Sequence, residues 1–154
     1  MEVTSRAFEA GGAMPARLTC DGGELSPPLA WSGAPPGTGA FALIVEDPDA
    51  PSGTWVHWVV YDLPGDAGSL AEDAARGLPS GAREGTNSWG AVAYGGPCPP
   101  SGSHRYVHRL FALDAPLGDL GRPTARELER AIRPHLLARG ELVGTYRRLE
   151  RSSQ

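Results

Sequence analysis

Thr54-Trp55-Val56-His57-Trp58-Val59-Val60-Tyr61-Asp62 is the stretch that decides the fold. β-Branched and aromatic residues dominate it, and no Gly or Pro interrupts it, which suits a pleated, largely buried strand. Alternation puts Trp55 and His57 on one face and Val56 and Trp58 on the other. Upstream, Phe41-Ala-Leu-Ile-Val45 is a short continuous apolar run, the pattern of a strand buried on both faces. Glu46-Asp47-Pro48-Asp49 stops it, because proline cannot donate to a ladder.

Outward from this pair, further strands are expected at 2–9 (EVTSRAFE), 29–31 (LAW), 104–114 (HRYVHRLFALD) and 142–148. Residues 10–28 and 32–39 read as loop and turn. Residues 63–102 are long and irregular, which in a compact domain points to a functional loop or an ordered insert rather than a linker. The one helix signal starts at Thr124. Thr124-Ala-Arg-Glu127 is a capping box, in which the hydroxyl takes a free backbone N–H and the glutamate reaches back. Leu128, Ile132, His135 and Leu136 follow at helical spacing. Pro134 is expected to break the helix and Gly140 to cap it. Strands dominate and the helix comes late, so the predicted fold class is mostly β: two packed antiparallel sheets with a peripheral C-terminal helix.

The 154 residues fit a single domain over 1–154, long enough to bury a core. Gly (21) and Pro (15) together run at about twice average usage, which predicts many shaped loops. A net charge of −4, with no basic block beyond Arg147-Arg148, argues against nucleic acid as the partner. It leaves room for one small anion in one pocket, because local dipoles can outweigh net charge. The start of the chain lacks an export signal, and no run approaches the length of a membrane span. The expectation is a cytoplasmic protein, with Cys20 and Cys98 reduced.

Two segments carry the chemistry: Asp47-Pro48-Asp49-Ala50-Pro51 leading into Trp55-Val56-His57, and Tyr94 through Tyr106 (YGGPCPPSGSHRY). His104, Tyr106 and His108 share a strand face if the strand is regular from His104 onward. Unpaired polar groups in a core would cost roughly 1–3 kcal/mol each, so a pocket at the rim of the sheet is the expected solution. Pro48, Pro51, Pro97, Pro99 and Pro100 stiffen its edge, and Ala50–Pro51 is a candidate cis bond. His57, His104 and the Tyr106 hydroxyl can donate to an oxyanion. Asp47 repels an anion, and is explained if it fixes a histidine tautomer or accepts a proton from the ligand. Arg105 points away from His104 and is expected to hold a carboxylate elsewhere. Asp49 reads equally as a turn cap or as support for the pocket. His108 and His135 read as structural, and Cys98, beside the pocket, reads as a small packed residue with a reactive thiol as the alternative.

The blocks DPDAPSGTWVHW and GPCPPSGSHRY closely resemble the two signature blocks of the phosphatidylethanolamine-binding protein (PEBP) family, also called Raf-kinase-inhibitor-like, in its short bacterial branch. Cys20-Asp21-Gly22, Ser26-Pro27-Pro28-Leu29 with Trp31, Asn87-Ser88-Trp89-Gly90 and Gly144-Thr145-Tyr146 extend the resemblance over nearly the whole chain. It implies two antiparallel sheets and a cavity for phosphate, phosphorylethanolamine or a similar small anion. By matched position, Asp47, Trp55, His57, Pro100, His104 and Tyr106 are its ligand-binding residues. The C-terminal helix that helps cover the cavity in eukaryotic relatives has no counterpart here, so kinase inhibition transfers poorly. Bacterial relatives often form homodimers, in which a second copy could cover the opening.

Anion binding is therefore the expected function, without a cofactor. Two alternatives stand beside it. The His/Asp/Tyr set suffices for hydrolytic acid–base chemistry, although no G-x-S-x-G elbow is present. Two histidines and a carboxylate also match a facial-triad metal site.

Overall fold

Where β-branched and aromatic residues cluster, the chain extends. In the computed structural model, which describes residues 1–149, the strands are β1 (Glu2–Thr4), β2 (Leu29–Ser32), β3 (Ala40–Asp47), β4 (Trp55–Pro64), β5 (Ser69–Leu70), β6 (Arg83–Glu84), β7 (Ser103–Leu113) and β8 (Leu136–Arg147). They form a five-stranded sheet, β6-β4-β3-β7-β8, and a three-stranded sheet, β1-β2-β5. All the strand pairings within the two sheets are antiparallel.

The central strand β3 is covered on both faces, as its unbroken apolar run predicts. Phe41, Leu43 and Val45 join the core between the two sheets, with Trp31, Trp58, Leu63 and Leu110. Ala42 and Ile44 point the other way, into a second core with Val59, Tyr61, Phe111, Leu128 and Ile132. That second core is roofed by α1 (Ala125–Ile132), so a mostly β sandwich carries one short helix on the outer face of its larger sheet. Burying Leu128 and Ile132 contributes roughly 1.5–3 kcal/mol each. Both halves of the capping box form: Thr124 accepts the Glu127 backbone N–H, and Glu127 accepts that of Thr124.

Several expectations need correction. The first strand ends at Thr4 rather than residue 9. The helix does break at Pro134, through a single 3-10 turn at Arg133–His135, but it does not run on to a cap at Gly140. Leu136 already belongs to β8, and Gly140 sits mid-strand opposite Leu110. Its lack of a side chain serves close approach, since a Cβ there would lie 2.6 Å from the Met1 carbonyl oxygen. The irregular stretch 63–102 contains β5, β6 and a 3-10 turn at Ala74–Arg76. All described peptide bonds are trans, Ala50–Pro51 included.

The cysteines are also corrected. Cys20 and Cys98, 78 residues apart, are joined in a disulfide with a Cα separation of 5.4 Å. Their two loops are laid side by side by a hydrogen bond from Cys20 N–H to the Pro97 carbonyl and one from the Tyr94 hydroxyl to the Leu18 carbonyl. No spacing rule could anticipate that approach.

Candidate functional site

The β3–β4 pairing shifts register at two places, and one of them lies beside the site. Val45 pairs with Trp58 and Glu46 with Val56, so a β-bulge lies at His57. Val56 consequently packs toward the helix-side core while Trp58 enters the core between the sheets, on opposite faces rather than the shared face expected. Bulges re-aim side chains in this way. His57 is turned toward Tyr106, with ring centroids 5.2 Å apart and nearly perpendicular. β7 is regular at this point, and His104, Tyr106 and His108 pair in turn with Tyr146, Gly144 and Leu142.

Asp47, Trp55, His57, Pro100, His104 and Tyr106 all line one cavity of about 370 Å³. Ala50, Pro51, Ser52, Trp89, Cys98 and Pro99 complete its wall. His57, His104, Asp47 and Tyr106 are buried.

Each histidine has one ring nitrogen committed. His57 Nδ1–H donates to the Gly95 carbonyl at 2.7 Å, and His104 Nδ1–H donates to Asp47 Oδ2 at 2.6 Å. The other Asp47 oxygen accepts the Asp49 backbone N–H at 2.7 Å. Asp47 thus fixes a histidine tautomer, one of the two roles its presence suggested. In the neutral rings both Nε2 atoms are then lone-pair acceptors. The Tyr106 hydroxyl is buried and has no hydrogen-bond partner among the described residues.

Burial pushes the His57 pKa below the ordinary imidazole range, against the upward pull of the Gly95 carbonyl and Asp47. Burial, with the Asp47 and Asp49 carboxylates nearby, raises the Tyr106 pKa, so the phenol keeps its proton. Among the described residues, no Lys or Arg lines the cavity.

The supporting residues are equally specific. Arg105 holds the Asp49 carboxylate through Nε and Nη2 at 2.9 and 2.8 Å, and its backbone N–H adds a third bond at 2.9 Å. The Asp49 pKa is lowered to about 2 by these bonds. The expected carboxylate partner of Arg105 is therefore Asp49 itself, and the pair ties the 47–53 loop to the start of β7. His108 is structural: it is fully buried, with Nδ1 near the Tyr106 and Leu142 carbonyls, and burial lowers its pKa to about 4. His135 pairs with Asp114 away from the cavity.

Trp89 is the residue that sequence reasoning missed. Its ring stands edge-on to His57 and Trp55, with centroids 5.0 and 5.5 Å away, while the residue is 50% exposed. Asn87 shapes its turn, accepting the backbone N–H groups of Trp89 and Ala91 and donating to the Ala93 carbonyl. Ser88 ties that turn to the edge of β4 by exchanging hydrogen bonds with the Val56 backbone. The available signal was the Asn-Ser-Trp-Gly turn itself, an aromatic residue set between turn formers. Among the described residues, no group of three or more His, Cys, Asp or Glu side chains is arranged to hold a metal ion.

A two-sheet β-sandwich with a histidine-lined, ligand-sized pocket at the sheet rim defines a small-ligand-binding class of protein. The chain belongs to the phosphatidylethanolamine-binding protein family, whose profile matches residues 4–147. It is 45% identical over 151 residues to a UPF0098 protein of Methanothermobacter thermautotrophicus, covering 96% of this chain and 99% of that one. It is 44% identical over 155 residues to a UPF0098 protein of Aquifex aeolicus, covering 96% and 89%. A crystal structure of a phosphatidylethanolamine-binding protein homologue from Chlamydia trachomatis superposes with a TM-score of 0.89 at 39% identity, covering 96% and 97%. Escherichia coli YbcL, described as a member of the mammalian family, superposes with a TM-score of 0.87 at 32% identity, covering 96% and 98%.

Proposed function

We propose that this cavity binds a small tetrahedral oxyanion, phosphate or a phosphate monoester such as phosphorylethanolamine, through Nε2 of His57, Nε2 of His104 and the Tyr106 hydroxyl. One observation carries the reading. Each imidazole spends its Nδ1 proton on a fixed protein acceptor, which leaves its Nε2 uncommitted, and these two nitrogens share one cavity with a buried, unpartnered phenol on a wall otherwise built largely of proline and tryptophan. Family membership supports ligand binding in general.

The chemistry makes binding proton-coupled. With neutral imidazoles the Nε2 atoms accept, and Asp47 gives the cavity a negative charge, so a fully deprotonated phosphate is repelled. A ligand P–OH can donate to Nε2, or a proton taken from solvent can turn an imidazole into a charged donor. Charge-assisted hydrogen bonds of that kind are about twice as strong as neutral ones.

Titration calorimetry or 31P NMR with inorganic phosphate and with phosphorylethanolamine is the test. His57→Ala is expected to weaken binding by roughly ten- to a hundredfold, the loss of one hydrogen bond to a charged group. A His57→Ala protein that binds as tightly as the parent would place the ligand elsewhere.

A further inference from the structure

The pocket wall carries a feature that ligand binding does not use. Cys98 lines the cavity and is exposed, while its partner Cys20 is half-buried, so the disulfide is approachable from the cavity side. The chain on either side of Cys98 is anchored very unequally. Toward the N-terminus, Gly95 exchanges two hydrogen bonds with His57, Pro97 accepts from Cys20, and the Tyr94 hydroxyl reaches Leu18. Toward the C-terminus, no backbone hydrogen bond among the described residues holds 98–102 before β7 begins at Ser103. Two of those residues, Pro99 and Pro100, form pocket wall and have no N–H to donate. The disulfide is therefore the last fixed point before the pocket rim.

We propose that Cys98 is a thiol-exchange site, and that opening the Cys20–Cys98 disulfide with a low-molecular-weight thiol loosens the Pro99–Pro100 wall and weakens anion binding. The proposal concerns regulation of the same site and rests on the anion-binding reading for its last part alone. A thiolate RS⁻ attacks Cys98 Sγ, a new S–S bond forms between R–S and Cys98, and the old bond breaks with its electron pair leaving on Cys20. The Cys20 thiolate then takes a proton from water. A second thiol can attack the outer sulfur of the mixed disulfide, releasing RSSR and Cys98 as a thiol. Overall, two RSH supply two electrons and two protons to one protein disulfide. At the first stage the R group sits in the mouth of the pocket; at the second the wall is untethered. Either state costs preorganisation of the binding groups.

The test treats the folded full chain with reduced glutathione. Mass spectrometry with peptide mapping reads the adduct, amide hydrogen exchange reads residues 94–103, and calorimetry reads inorganic phosphate binding in the oxidised, glutathione-treated and fully reduced proteins. A Cys20→Ser/Cys98→Ser variant supplies the untethered wall without any thiol present. The expected result is one glutathione on Cys98, faster exchange across 94–103, and phosphate binding weakened by about tenfold in the reduced protein and in the double variant, the size of a modest loss of preorganisation. A folded protein that forms no adduct under conditions that open the disulfide of a model peptide would overturn the proposal. So would an opened disulfide that leaves exchange and binding as they were. If even the oxidised chain binds no phosphate, the anion-binding reading fails, and the adduct and the exchange rates still decide this one.

Discussion

His104 Nδ1 lies 2.6 Å from Asp47 Oδ2, across 57 residues of chain, with both side chains buried at the junction of β3 and β7. The bond sets the tautomer of one pocket imidazole, and the second Asp47 oxygen shapes the turn toward Asp49. Asp47→Ala strands the His104 N–H in a buried place and opens that turn. It is expected to lower stability by about 1–3 kcal/mol, read from urea unfolding. An unchanged midpoint would mean that water replaces the carboxylate without cost.

Proton coupling has a sign that can be measured. Burial holds His57 below the ordinary imidazole range, so the ligand-free ring is neutral at neutral pH. Phosphate binding should therefore take up protons at neutral pH, and affinity should rise as the pH falls toward the lowered His57 value, below the ordinary 6.5. Calorimetry in buffers of different ionisation enthalpy reads the uptake directly. Binding without proton uptake, at an affinity indifferent to pH, would contradict the donor scheme.

His108 gives a pH dependence of stability with nothing to do with ligand. Its pKa falls from 6.5 to about 4 on folding because the ring is fully buried. Below pH 6.5 the unfolded chain binds a proton that the folded chain refuses until about pH 4. Stability present above that window is lost as the pH falls through it, roughly 3 kcal/mol in all at 1.36 kcal/mol per unit. His108→Gln should flatten the decline between those limits, measured by denaturant unfolding at a series of pH values. Equal slopes in parent and variant would show that other groups set the decline.

Gly95 and Trp89 test the wall. A Cβ at position 95 would stand 2.2 Å from the Trp89 ring, and Trp89 is exposed enough to swing away. Gly95→Ala should cost about 1–2 kcal/mol, the range of mild overpacking. It should also shift tryptophan fluorescence as the ring leaves His57. A variant with parental fluorescence would mean that the backbone moved and the indole stayed.

Asp49 and Arg105 lie at the exposed edge. Although the pair is bidentate and joined by a backbone bond, solvent screening leaves so exposed a pair little net effect on global stability. Arg105→Ala should leave the unfolding midpoint nearly unchanged while amide exchange in the 47–53 loop accelerates. A large drop in stability would show that the pair supports more than the loop.

Much of the fold could be read from local pattern. The run 54–62 declared β4, FALIV declared a strand covered on both faces, and Thr124 with Glu127 declared the helix start, because strand alternation and capping are properties of near neighbours. The co-location of Asp47, His57, His104 and Tyr106 was legible from unpaired polar side chains on strand faces and from the resemblance of the two signature blocks. Gly140 misled because a glycine after a helical pattern and a glycine in a crowded strand look alike without the Met1 backbone lying over it.

By itself, then, the amino-acid sequence determined strands β2, β3, β4 and β7, the capped start of the helix, the family and the set of polar groups that must meet. Only the tertiary structure decided the bulge that turns His57 toward Tyr106, the placement of Trp89 against it, and the pairing of Cys20 with Cys98. The physical reason is range: periodicity and capping act over a few residues, whereas a bulge register, an edge-on ring and a bond across 78 residues exist only once distant segments have packed.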